Sequence, residues 1–312
     1  MRRKKPTLRF VICLLLTFFL FMADSIPASP RSEPTAVTVL HDDSLFSVPL
    51  QRTVHLEMIL PPDYSLSLNQ LTGLLPDRLP VLYLNDGQDL GRLRMSEVLD
   101  SLYEQQVIRP FVLVAIHAGD RIQEYGTAAQ ADYMHRGSKA ALYTDFVLTE
   151  LLPYVQKHYP VSSRPEESVF AGFSLGGLSA LDLVFHHPER FGRAGVFSGS
   201  FWWRSKSTEA GYRDETDRIM HDLVRKGNYS KNLKFWFEVG TDDETSDRNN
   251  NGIIDAIDDT LDLIEELTQK GYRYDRTGGP TDIRYVEVAG GKHDQDTWSR
   301  VMPDFLTWAF GK

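Results

Sequence analysis

The chain has one cysteine in 312 residues, Cys13, and it lies in the first apolar run. Beyond that run there is no thiol to pair, so disulfides and cysteine metal clusters are excluded and stability must come from a core. Basic residues are also in deficit, with 34 Lys and Arg against 43 Asp and Glu. That balance argues against nucleic acid or an anionic membrane surface as a partner and is compatible with bound cations. Long apolar runs are missing except at the start. There, Arg2, Arg3, Lys4, Lys5 and Arg9 precede an uncharged stretch from Phe10 to Ala23, closed by Asp24. The stretch is short for a membrane span and has the shape of a secretory signal, with cleavage expected after Ser25. Residues 26–36, rich in Pro and Ser, read as a linker. Removal of residues 1–25 takes away five basic residues and one acidic one, moving the net charge from −9 to −13. The mature protein is expected in the periplasm or outside the cell, with no membrane contact after cleavage.

Residues 37–312 read as one domain. Apolar runs at Thr53–Leu60, Pro80–Leu84, Phe111–Ile116, Ser168–Phe173, Ala194–Ser198, Leu233–Val239 and Asp282–Val288 have the length and content of strands. Between them, Met95–Gln106, Ala140–His158, Leu175–His186, Glu209–Lys226, Ile257–Lys270 and Thr297–Phe310 have helical spacing, with Pro153 marking a kink or an early end. Leu66–Leu79 has no period and reads as a loop, and Ala118–Gly137 is a long polar stretch. Alternating strands and helices predict an α/β fold with a mainly parallel sheet and reactive groups at the carboxyl ends of strands.

The pivotal stretch is Ala171-Gly172-Phe173-Ser174-Leu175-Gly176-Gly177. It joins a strand-like run to a helix-like run, the setting of a nucleophile elbow that lifts a serine hydroxyl above the sheet edge. Small residues flank Ser174 because so tight a crossing leaves no room for Cβ atoms. The Leu175 N–H would open the helix and be free to bind an oxyanion. A second donor is expected from the loop after an early strand, and the Gln88 N–H within Asn85-Asp86-Gly87-Gln88-Asp89 is the candidate.

A serine hydroxyl needs a base, and the base an orienting acid. In α/β-hydrolases the order is Ser, acid, His, each after a strand. That order is available: Thr241-Asp242-Asp243-Glu244 follows one late strand, and Ala289-Gly290-Gly291-Lys292-His293-Asp294 follows the next. Of nine histidines, His293 alone lies after a late strand in a Gly-rich loop. Asp242, Asp243 and Glu244 are adjacent, and they cannot all face one imidazole.

The chain resembles the esterase D and enterochelin esterase-like group of α/β-hydrolases, which also includes feruloyl and acetyl-xylan esterase modules. The resemblance is carried by Tyr83-Leu84-Asn85-Asp86-Gly87-Gln88, by Gly172-Phe173-Ser174-Leu175-Gly176-Gly177-Leu178-Ser179-Ala180-Leu181, by His187-Pro188-Glu189-Arg190-Phe191-Gly192, by Ser198-Gly199-Ser200-Phe201-Trp202-Trp203, and by the Gly240–Glu244 and Gly290–Asp294 segments. It spans about residues 40–310. It implies an α/β-hydrolase fold and hydrolysis of a carboxylic ester, in a siderophore or a plant polysaccharide, with no cofactor for catalysis. It also implies that the acid is Asp243, which matches the Asp of a Gly-Thr-x-Asp pattern. Water would then release the acyl group from Ser174. A sugar hydroxyl in place of water would make the same residues an acyltransferase.

A second pattern is independent of the first. Asp247-Arg248-Asn249-Asn250-Asn251-Gly252-Ile253-Ile254-Asp255-Ala256-Ile257-Asp258 matches a calcium loop, with oxygen side chains at positions 1, 3, 5, 9 and 12 and Gly252 at the sharp turn. The ligands would be Asp247, Asn249, Asn251, the Ile253 carbonyl, Asp255 and Asp258. Asp258 replaces the usual Glu, as in the loops of dockerin modules, which the stretch resembles. A structural Ca2+ ordering the nearby acidic turn is expected. A non-catalytic, calcium-dependent binding protein on the same scaffold is the alternative from another class.

Trp202, Trp203 and Trp298, at the expected site edge, are candidates to stack on an aromatic or sugar substrate. Arg121, Tyr125 and Arg204 are candidates for its charged groups. The partner expected is a small-molecule or glycan ester.

Overall fold

The computed structural model describes residues 36–62, 64, 78–275 and 281–312. The targeting segment, nearly all of the linker and most of the expected loop before Leu79 lie outside the described residues. Strands β1 (Thr38–Ser47), β2 (Arg52–Leu60), β3 (Val81–Asn85), β4 (Val112–Ile116), β5 (Ser168–Phe173), β6 (Arg193–Phe197), β7 (Lys234–Gly240) and β8 (Ile283–Val288) form one sheet. Its order is β1-β2-β4-β3-β5-β6-β7-β8. β2 runs antiparallel to both β1 and β4, and every other pairing is parallel. This is the α/β-hydrolase arrangement expected from the sequence.

The central strands are buried on both faces, which is why they read as unbroken apolar runs. Alternate residues serve opposite layers. Val81, Tyr83 and Phe170 face one layer with Phe146, Val155, Leu178 and Leu263. Leu82, Leu84, Ala171 and Phe173 face the other with Leu99, Met302 and Phe305. The first layer is supplied by α3 (Ala140–Phe146), α4 (Leu152–His158), α5 (Leu175–His186), α7 (Ile219–Lys226) and α8 (Asp255–Lys270). The second is supplied by α1 (Met95–Glu104) and α9 (Gln295–Phe310). Two one-turn helices, α2 (Arg121–Glu124) and α6 (Asp214–Asp217), lie in the loops. None of the described helices is long and apolar enough to cross a membrane.

Three elements differ from expectation. β1 was not foreseen, because it is an edge strand with mostly solvent-facing residues and a register break between Leu40 and Asp43. The expected helix over Ala140–His158 contains a wider turn at Val147–Leu151, where the Leu152 N–H donates to Val147 O, five residues back. Pro153 has no N–H and crowds the preceding turn, and the wide turn absorbs that. The expected helix over Glu209–Lys226 is broken at Gly211, which takes a left-handed φ of 79°. α7 begins only at Ile219.

The sheet has a topological switch point. β3 is flanked by β4 on one side and β5 on the other, so the connections leaving β3 and β4 diverge there. Ligands bind at such switch points, outside the carboxyl ends of the strands.

Candidate active site

Ser174 joins β5 to α5 with φ 55° and ψ −120°, a conformation that L residues avoid. It is the one residue between Ala171 and Ala180 that is not buried. The flanking glycines are sterically required. A Cβ on Gly172 would lie 2.4 Å from Gly176 O, and one on Gly176 would lie 2.7 Å from Asp86 Oδ2. The Ser174 N–H donates to Phe197 O (2.9 Å), tying the elbow to β6. Leu175 is the first residue of α5, so its N–H has no intrahelical acceptor.

The end of β3 clamps the elbow. Asn85 Nδ2 donates to Gly176 O (2.8 Å), and Tyr143 Oη donates to Asn85 Oδ1 (2.5 Å). Asp86 takes a left-handed φ of 60° and starts the turn Gly87–Asp89. Gln88 is exposed on that turn. Its side chain donates to Asp86 Oδ1 (3.0 Å) and accepts from the Ala118 N–H (3.1 Å). The same turn reaches α9 through Gln295 Nε2, which donates to Asp89 Oδ2 (3.0 Å).

The loops after β7 and β8 are joined. The Asp242 N–H donates to Gly291 O (2.8 Å), the Thr241 N–H to Val288 O (3.0 Å), and the Gly290 N–H to Thr241 Oγ1 (2.8 Å). Gly240 lets them close, since a Cβ there would meet Gly291 O at 2.3 Å and Asp243 Oδ1 at 2.7 Å. Among the three adjacent acids, only Asp243 turns to His293. Its side chain is 1% exposed and Oδ2 lies 3.7 Å from His293 Nδ1. That separation is longer than a hydrogen bond. Asp242 is exposed, and Glu244 points to Ser246 and the Ala256 N–H at the start of α8. Burial pushes the Glu244 carboxyl up.

His293 packs edge-on against Trp298 (centroids 5.4 Å apart), which stacks on Phe173, the residue before Ser174. Trp298 Nε1 donates to Ser198 Oγ (2.9 Å). Trp298 is thus a packing residue that spaces the His293 loop from the elbow.

The substrate-side expectations divide. Trp203 is fully buried, with Gly126 and Gly137 packed on its ring, so it is core and not a stacking surface. Tyr125 is also fully buried. Its hydroxyl accepts from the Asp86 N–H (3.1 Å), and its ring packs on Tyr143. Arg121 is committed to a two-pronged pair with Asp86 (both 2.8 Å) and donates to Phe173 O (3.1 Å), so it supports the elbow. Arg204 lies over the rings of Tyr133 and Tyr212. Trp202 alone keeps a partly open ring, with the Arg136 guanidinium 4.8 Å from its centroid. Two residues the sequence did not single out also belong here. Ser200 is buried with its Oγ 3.1 Å from Ser174 Oγ. Glu238, in β7, is buried beneath Asp243 in charge range of it.

The Asp247–Asp258 segment folds into a tight loop. Gly252 takes φ 85° and Asn250 φ 56°. Asp247 accepts from the Asn251 and Gly252 N–H groups (3.1 and 2.9 Å). The Asn249 and Asn251 amides both donate to Asp258 Oδ2 (3.0 and 2.8 Å). Four of the expected ligands therefore converge, and the donor set of carboxylates and amides suits a hard cation. Asp255 instead accepts from the Arg248 N–H (2.9 Å) and pairs with its side chain (3.2 Å). No group of three or more His, Cys, Asp or Glu side chains among the described residues is placed to hold a metal.

The family model described as "Putative esterase" matches residues 47–309. The fold and this elbow define an α/β-hydrolase-type protein, and the match makes the chain a member of that esterase family. It is similar to the uncharacterized protein YbbA of Bacillus subtilis, at 23% identity over 82% of this chain and 92% of that one. It is also 32% identical to the iron(III) enterobactin esterase of Escherichia coli K12 over 52% of this chain, which spans only 37% of that protein. Among solved structures, the enterobactin esterase of Shigella flexneri has a TM-score of 0.65 at 24% identity, over 88% of this chain and 60% of that one. A ferulic acid esterase gives 0.61 at 19% identity, over 89% and 99%.

Proposed function

We propose that this protein is a serine carboxylesterase with Ser174 as nucleophile, His293 as base and Asp243 as the acid that orients it. The observation that carries the reading is the strained Ser174 backbone at the β5–α5 junction, the form a nucleophile elbow requires. Ser174 attacks the ester carbonyl and passes its proton to His293. Asp243 stabilises the imidazolium. The Leu175 and Gln88 N–H groups receive the tetrahedral oxyanion, at about 3 kcal/mol per donor. His293 returns the proton to the leaving alkoxide, and water hydrolyses the acyl-enzyme. No cofactor enters these steps. The substrate class is an ester of a siderophore or of a plant-polysaccharide acyl group. Support comes from relatives whose names include iron(III) enterobactin esterase, siderophore triacetylfusarinine C esterase and endo-1,4-beta-xylanase/feruloyl esterase. Trp202 is the aromatic surface available to such a substrate.

The protein acts after export, in the periplasm or outside the cell, a reading supported by the basic and apolar N-terminal stretch. Asp247, Asn249, Asn251 and Asp258, with the Ile253 carbonyl, would hold a Ca2+ that orders the turn bearing Asp243. The test is hydrolysis of a p-nitrophenyl ester and labelling by a serine-directed phosphonate, each with and without a chelator. Turnover and labelling at Ser174 are expected. Neither one appearing would favour a binding protein on this scaffold.

A further inference from the structure

Asp243 and Glu238 present an accounting problem. Both side chains are 1% exposed. All four carboxyl oxygens are buried and none makes a hydrogen bond of good geometry. The Ser198 backbone near the Glu238 carboxyl favours its charged form, but less than burial opposes it. His293 Nδ1 lies 3.7 Å from Asp243, on the Oδ2 side, and pairs with it as a charge only when the imidazole takes a proton. Asp243 lies over Gly240, which shares a face of β7 with Glu238 two residues earlier, and the two carboxyls are in charge range of each other. Two such buried groups resist ionising together, because each unpaired charge costs several kcal/mol. One proton resolves the deficit. A protonated carboxyl supplies an O–H donor, and the neighbouring carboxylate is its natural acceptor.

The placement decides which of the two keeps it. Asp243 folds back over Gly240 at the end of β7, with one oxygen toward the imidazole. Glu238 lies within β7, below that turn and away from solvent. Its surroundings are the Ser198 backbone at the end of β6, Asp243 above it and Arg300 on α9 at longer range. Resting on the esterase reading of the site, we propose that Glu238 is a positioning residue: its carboxyl stays protonated and donates to Asp243, holding that carboxylate against His293. The arrangement extends the serine, histidine and acid by a fourth member that touches no substrate. Burial, and next the charge of Asp243, push the Glu238 carboxyl up to about 8, in keeping with a proton retained at neutral pH.

The test compares Glu238→Gln and Glu238→Ala with the unaltered protein. Gln keeps an N–H donor toward Asp243 and cannot ionise. E238Q is expected to hold kcat within about 3-fold at pH 7, whereas E238A loses roughly 100-fold in kcat with KM little changed. The unaltered protein is expected to lose kcat/KM as pH rises through about 8, and E238Q to lack that limb. A readout independent of turnover separates this idea from the esterase reading. In Ser174→Ala protein at pH 7, infrared spectra should show the C=O stretch of a protonated buried carboxyl that is absent once E238Q is added. No such band, or an unchanged alkaline limb in E238Q, overturns the proposal even if the protein proves to be a serine esterase. A band with no esterase activity leaves the proton in place and removes its catalytic purpose, which also counts against it.

Discussion

Gly240→Ala adds one methyl group at the junction of the two loops that carry Asp243 and His293. Gly240 has no left-handed φ, so alanine is conformationally allowed there and the effect must be steric. The added Cβ would lie 2.3 Å from Gly291 O and 2.7 Å from Asp243 Oδ1. An ordinary carbon–oxygen contact is about 3.3 Å. The Gly291 backbone must therefore retreat by about 1 Å, and the Asp243 carboxylate by about half that. Gly291 is two residues from His293 and accepts from the Asp242 N–H. The retreat therefore displaces both sides of the 3.7 Å gap between Asp243 and the imidazole. A displacement of this size in a catalytic pair costs about 100-fold in rate, and overpacking costs about 1–3 kcal/mol in stability. The assay is kcat and KM on a p-nitrophenyl ester, with thermal unfolding run alongside. The expectation is a fall in kcat with KM nearly constant, in protein that remains folded at the assay temperature. Native kcat in Gly240→Ala would refute the claim that these two loops must meet at this separation for turnover.

Asp243→Asn leaves the shape of the acid and removes its charge, so kcat should fall about 1,000-fold or more with little change in melting temperature. Arg248→Met breaks pairs with Asp214, Asp255 and the buried Asp259 and should cost about 3 kcal/mol, read by urea unfolding. The same substitution frees Asp255 for the loop, so it should raise calcium affinity measured by calorimetry. Stability should also report on Glu238. Its carboxyl is raised from 4.5 to about 8 in the folded protein, so between those values the native state holds a proton that the unfolded chain releases. That contribution is complete below pH 4.5 and is lost as pH rises toward 8, at about 1.4 kcal/mol per pH unit. Glu238→Gln should flatten this slope in pH-dependent unfolding, and an unchanged slope would place the titration elsewhere.

The elbow was legible because its geometry is written locally. Gly172, Gly176 and Gly177 are there for want of space, and the runs on either side have the apolar content of a buried strand and helix. The mainly parallel sheet followed from alternation, and the candidate base and the acidic turn from their places after the last two strands. The choice of Asp243 within that turn came from the family resemblance. What was not legible depends on distant contacts. Nothing local to Arg121, Tyr125 or Trp203 tells that the polar 118–137 stretch tucks against β3 and the Ser200–Trp203 turn. Polar loop residues therefore read as exposed and proved to be braces. β1 was missed because an edge strand buries little and its side chains carry no stripe. Glu238 sits inside an apolar strand, where one carboxylate looks like an outward-facing residue until β6, α9 and Asp243 close over it.

The most direct test is hydrolysis of a short p-nitrophenyl ester by the purified protein and by Ser174→Ala, with phosphonate labelling mapped by peptide mass. Turnover in the first, turnover at background in the second, and a label carried on Ser174 are predicted. Equal turnover in both proteins, or a label carried on another residue, would contradict the assignment of the elbow serine as nucleophile.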